Sequence, residues 1–128
     1  MIRVRLSQQD VHYAGGLING SKMLDLFGDV ATELLIRLDG DEGLFAGYEM
    51  VKFCAPAYAG DFIEARGKIL KVGNTSCQME FVAHKIITLE GNASSPSAAR
   101  VLPEPVLVCK AIGTCVVPKT LQRGRRHG

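Results

Sequence analysis

Apolar and polar residues alternate from the start of the chain: Ile2, Val4 and Leu6 interleave with Arg3 and Arg5. That period of two predicts a strand over Ile2–Leu6 with one buried face. A polar stretch, Ser7–Asp10, then leads through Val11-His12-Tyr13-Ala14-Gly15-Gly16 into a different rhythm. From about Leu17 to Leu38 the apolar residues Met23, Leu24, Leu26, Phe27, Val30, Ala31, Leu34 and Leu35 fill one half of a helical wheel. Asp25, Gly28, Asp29 and Thr32 occupy the other half, with Glu33 at the border beside Leu26. So wide an apolar arc predicts a helix largely wrapped by sheet, ended by the turn chemistry of Asp39-Gly40-Asp41-Glu42-Gly43.

The period then returns to two. Strands are predicted over Leu44–Phe53, Phe62–Val72 and Ser76–Leu89, with Gly73-Asn74 as the hairpin turn between the last two. Gly91–Pro105, rich in Ser, Ala and Pro, reads as a loop, and Val106–Val117 as the final strand. One long helix with five or six antiparallel strands is an α+β arrangement, a curved sheet around a central helix. Its open edges and leftover apolar surface predict pairing with a second copy.

Composition narrows the function classes. The 128 residues fit a single domain over residues 1–118, followed by a basic, mobile tail over 119–128 that holds Arg123, Arg125 and Arg126. Apolar residues make up 47% and charged residues 22%, which excludes a disordered chain. A formal charge of only +2 argues against nucleic acid as partner. No apolar run approaches the ~20 residues that span a bilayer, and the N-terminus has no signal or transit pattern, so a cytoplasmic protein is expected. Cys54, Cys77, Cys109 and Cys115 form no CxxC pair and have no His at ligand spacing, so they read as reduced core residues rather than a metal site.

Three stretches can carry chemistry. Gly15 and Gly16, read as entering the helix, would offer backbone N–H groups to a thioester oxygen as it becomes anionic; the same glycines would also serve an ordinary turn. His12 and Tyr13 stand beside them. Asp25, Asp29 and Glu33, at i, i+4 and i+8, line one side of the helix, either as a solvated face or as acid–base groups. Glu33, nearest the apolar arc, is expected to be partly desolvated and therefore the better base, with Asp29 second. Lys71, Gly73, Asn74 and Ser76 in the hairpin, with Arg66, suit phosphate and pantetheine polar atoms.

In this order the stretches resemble the hot-dog superfamily of coenzyme A thioester enzymes, most closely the small ammonia lyases acting on 3-aminoacyl-CoA. The resemblance rests on Asp10–Gly15, Leu17–Gly20, Gly28–Leu34, Asp39-Gly40-Asp41, Ala55–Phe62, Lys71–Ser76 and Pro105-Val106-Leu107. It implies a hot-dog fold, reversible loss of ammonia from 3-aminobutyryl-CoA (β-alanyl-CoA as the alternative), and a place in amino-acid fermentation. It implies no cofactor beyond the CoA of the substrate, and a homodimer as minimal unit, with tetramer or hexamer open. Where one thioesterase group has a catalytic Asp before the helix, this chain has His12, which counts against hydrolysis by that route. An acid in mid-helix, as at Asp29, keeps thioester hydrolysis open, and a non-catalytic acyl-CoA binding domain is a third reading.

Overall fold

A computed structural model describes residues 1–91 and 94–123. Five antiparallel strands form one sheet: β1 (Ile2–Arg5), β2 (Leu44–Phe53), β3 (Phe62–Val72), β4 (Ser76–Leu89) and β5 (Ala99–Val116), in spatial order β1-β3-β4-β5-β2. One helix, α1 (Ser21–Asp39), packs on a single face of that sheet. Three of the strands match the expected limits, because in each the alternation ends at a turn signal.

Two limits differ. The helix begins at Ser21 rather than Leu17. Leu17 and Ile18 are drawn into bridges with Tyr58 and Val11, and Asn19 Oδ1 accepts the Ser21 N–H at 3.1 Å instead. At its other end Gly40, at φ 67°, donates its N–H to Ile36 O, the left-handed cap that glycine accommodates. The final strand starts at Ala99, so residues 99–105 are strand rather than loop. Against β4 the register passes from Ile87↔Val101 to Lys85↔Val106, and Pro103 and Pro105 fall inside that bulge, where missing N–H groups break no ladder bond.

Met23, Leu26, Phe27, Val30, Ala31 and Leu35 of α1 are buried against Ile63, Ala65, Met79, Phe81, Ala83, Cys109 and Ala111 of the sheet. Phe27 stacks on Phe81 with ring centroids 5.2 Å apart, and Phe45 and Tyr48 join them. Helix and sheet approach so closely at Gly67 that a Cβ there would lie 2.7 Å from Val30 Cγ1. Burial pushes the Tyr48 hydroxyl up to about 12, with the charge of nearby Asp25 adding to it.

Three of the four cysteines are core residues as expected; Cys54, at the end of β2, is exposed. Burial raises the thiols of Cys109 and Cys115 to about 11, which suppresses the reactive thiolate at neutral pH. A disulfide-exchange reagent is therefore expected to titrate no more than one thiol per native chain, and all four after denaturation.

Residues 119–123, expected to begin a mobile tail, are docked. Lys119–Leu121 forms a 3-10 turn, Gln122 Nε2 donates to Asn74 O and Val117 O, and the Arg123 N–H donates to Asp39 O at 2.7 Å. Arg125 and Arg126 lie outside the described residues. No described helix is long and apolar enough to cross a membrane.

Candidate active site

His12, Tyr13, Gly15 and Gly16 do come together, in a loop packed beside the N-terminal end of α1. Leu17 organises it: its carbonyl accepts the N–H groups of both His12 and Tyr13. The His12 and Tyr13 rings meet edge to face at 4.7 Å, and both are exposed. Gly15 and Gly16 have φ of 74° and 78°, which disfavours any side chain, although a Cβ at either would meet nothing within 4 Å. They form a separate 3-10 turn with Ala14, several residues before α1, and not the entry to the helix. The helix dipole is thus not aligned behind their N–H groups, and any stabilisation they give an oxyanion is by direct hydrogen bonding. Lys22, in the first turn of α1, ties this loop to the helix through Asp10 at 3.5 Å.

Glu33 is ion-paired, which the sequence did not suggest. Its side chain is 42% exposed and pairs with Arg37 at 3.0 Å and with the N-terminal ammonium at 3.9 Å. Of the three stripe carboxylates Glu33 is the least exposed, partly buried as expected, whereas Asp25 and Asp29 are exposed. The acidic stripe crosses the helix as it climbs: Asp25 lies near Tyr48 of β2, whereas Glu33 reaches the start of the chain beside β1. Asp29 is exposed between them.

The hairpin residues are not joined to this group within one chain. Asn74 and Ser76 sit at the far end of β3, whose 11 residues extend about 35 Å from Asp61, beside which the His12 loop docks. The Gly73 N–H donates to Ser76 O at 2.8 Å, closing the turn. Lys71 is exposed, opposite Gln78, and Arg66 opposite Val82; both register positions lie on the sheet face turned away from α1. Arg66 is held by Glu64 at 3.0 Å, and Glu64 also accepts Arg3 Nη2 at 2.6 Å.

Arg66 first, then Arg3, hydrogen-bond the Glu64 carboxylate and hold it below the usual carboxylate range. A depressed folded-state value stabilises the fold above the unfolded value, near pH ~4.3, and that contribution is lost as pH falls through the lowered one. Glu64→Gln is expected to flatten the acid limb of a stability–pH curve in that window by lowering the neutral plateau toward the acid value, as read from denaturant midpoints.

A second buried group had no place in the sequence expectations. Asp61 is 1% exposed; its Oδ2 pairs with Lys85 Nζ at 3.1 Å and accepts the Tyr58 N–H at 2.9 Å, while its Oδ1 accepts the Thr88 hydroxyl at 2.7 Å. The signal was present in the alternation. Cys77, Met79, Phe81 and Ala83 face the core at every second position, and the next is Lys85, so a cation on the buried face required a buried anion.

A central helix on a five-stranded antiparallel sheet, with a glycine-containing loop at the helix's N-terminal end, defines the hot-dog class of domain. The thioesterase superfamily matches residues 15–88. A 3-aminobutyryl-CoA ammonia lyase of Acetoanaerobium sticklandii is 55% identical over 123 residues, covering 96% of this chain and 97% of the relative. The solved β-alanyl-CoA:ammonia lyase of Clostridium propionicum superimposes with a TM-score of 0.92 at 38% identity, over 98% of this chain and 89% of that one. A hexameric hotdog fold thioesterase of Campylobacter jejuni shares the fold, with a TM-score of 0.73 at 19% identity over 98% of this chain and 88% of its own. The chain belongs to the thioesterase superfamily and, within it, to the family of CoA ammonia lyases.

Proposed function

We propose that the protein eliminates ammonia reversibly from 3-aminobutyryl-CoA to give crotonyl-CoA. The observation that carries this reading is the 55% identity, end to end, with a relative of that name. A base takes the proton at C2, the C3–N bond breaks with its electron pair going to nitrogen, and the C2–H pair becomes the new double bond. The ammonium group leaves as neutral ammonia, and the thioester oxygen carries transient negative charge. This chemistry calls for a carboxylate base and N–H donors, with no redox or metal cofactor.

In our assignment Asp29 is the base. Glu33, its carboxylate paired with Arg37, contributes with Asp25 to the acidic surroundings of the departing ammonium. The N–H groups of Gly15 and Gly16 face the thioester oxygen, and His12 and Tyr13 orient the reacting groups. Lys71, Gly73, Asn74 and Ser76, with Arg66 as a weaker contributor, hold the CoA moiety. Their distance from the His12 loop supports a site completed by a second copy. Antiparallel pairing of two β2 edges reverses one sheet relative to the other, so the hairpin end of one chain lies at the same end of the joined sheet as its partner's His12 loop. The minimal unit is then a cytoplasmic homodimer that can assemble further to a tetramer or hexamer.

Incubation with crotonyl-CoA and ammonium should consume the enoyl-thioester absorbance in an ammonium-dependent way. Release of free CoA thiol without ammonium dependence would instead establish a thioesterase, and binding without turnover an acyl-CoA binding domain. Substitution of β-alanyl-CoA for the four-carbon substrate distinguishes the two lyase activities by kcat/KM. Lys71→Ala is expected to raise KM several-fold at low ionic strength, less at high salt, and to leave kcat near wild type, because exposed charges are screened.

A further inference from the structure

The buried Asp61–Lys85 pair lies outside the group of residues that would touch substrate, yet it is joined to that group by an unbroken series of hydrogen bonds. On β4, Lys85 and Thr88 hold the Asp61 carboxylate. Asp61 then grips Tyr58 twice, its carboxylate accepting the Tyr58 N–H and its own N–H donating to Tyr58 O at 3.0 Å. Tyr58 pairs with Leu17, flanked by Ile18 N–H to Ala57 O at 2.9 Å and Ala59 N–H to Gly16 O at 3.0 Å. Leu17 in turn holds the His12 and Tyr13 N–H groups. Lys85 Nζ also lies 5.5 Å from the centre of the Tyr58 ring, over its face.

We infer that Asp61, fixed by Lys85 and Thr88, is a positioning residue for the lyase reaction: it anchors the His12–Leu17 loop to the end of β4, the middle strand of the sheet. The loop has little of its own to hold it. His12 and Tyr13 are exposed, and the two glycines beside them have no side chain to pack. Fixing such a loop is what a reaction sensitive to donor placement needs, since a displacement of about 1 Å can cost about 100-fold in rate. A purely apolar contact at the same place would bury the Tyr58 turn equally well but would not fix the direction of its N–H and carbonyl. The inference rests on the proposed role of the His12–Gly16 loop.

The decisive variant is Thr88→Val, which keeps the side chain's shape and removes one hydrogen bond to Asp61 while leaving the ion pair intact. Lys85→Met and Lys85→Arg accompany it, the second as the conservative replacement. For Thr88→Val, amide exchange at His12, Tyr13, Ile18 and Ala59 is expected to accelerate roughly tenfold with no change within α1 or β4. The kcat should fall about 10-fold to 100-fold with KM nearly constant. Lys85→Met should deepen both effects and Lys85→Arg should reverse most of them. Exchange that is unchanged, or that accelerates evenly through the sheet, overturns the anchor, and so does accelerated exchange with wild-type kcat. Failure of the underlying site reading appears separately, as wild-type kcat in both His12→Ala and Tyr13→Phe. Should Lys85→Met fail to fold, Thr88→Val and Lys85→Arg still decide.

Discussion

Asp29→Asn is expected to lower kcat at least about 100-fold, the usual scale for losing a general base, with little change in melting temperature. Asp29 is exposed on α1, so its carboxamide neither opens a cavity nor strands a buried partner, and surface changes of that kind stay within about 0.5 kcal/mol. Activity and stability are thus separable at this position, which makes it the sharpest test of the assignment. Asp29 lies at mid-helix between Asp25, near Tyr48 of β2, and Glu33, beside the start of the chain. Glu33→Gln is the companion measurement. Loss of its exposed pair with Arg37 costs only a few tenths of a kcal/mol, and its kcat should fall less than that of Asp29→Asn. The reverse ranking would move proton abstraction to Glu33. Wild-type kcat in both would remove the stripe from the mechanism and leave His12 or Tyr13 as the base.

The largest loss of stability is expected from Phe81→Ala, at about 3–5 kcal/mol. Phe81 is fully buried at the centre of β4, stacked on Phe27 of α1 and within 5.9 Å of the Phe45 ring of β2, measured between centroids. Its removal unpacks the helix and an edge strand at once, and the close approach at Gly67 leaves the backbone no room to collapse into the void. At this chain length the expected fall in melting temperature is roughly 10–20 °C, compared at one protein concentration so that assembly does not confound it. Phe45→Ala should cost less, because Phe45 is only partly buried on the outermost strand. Equal losses from the two would mean that β2 is covered in solution by something that buries Phe45 as deeply as Phe81.

Much of the architecture was legible because local chemistry and tertiary packing agree. β2, β3 and β4 end where turn signals end them, the alternation of β4 is regular from Ser76 to Lys85, and the buried arc of α1 is the one its apolar residues define. Where sequence and structure part, a distant segment has overridden a local preference. Leu17 and Ile18 continue the helical pattern, yet their backbone groups are taken by Val11, Ala57 and Tyr58, and the helix starts later. The run before Val106 carries two prolines that argue for loop, yet it pairs with β4 through a bulge that needs no N–H from them.

The site divides in the same way. By itself the sequence determined which chemical groups are present: the glycine turn with its neighbouring His12 and Tyr13, the acidic stripe at helical spacing, and the family resemblance they carry. It also held the clue of a lysine on a buried strand face. Only the tertiary structure decided which of these groups meet. It put Glu33 beside Arg37 and the N-terminal ammonium, and left Asp29 unburied at mid-helix. It also sent the Lys71 hairpin to the far end of the sheet and buried Asp61 against Lys85. The reason is range. Periodicity and turn chemistry act over a few residues, whereas desolvation and ion pairing depend on what the rest of the chain brings within a few ångströms.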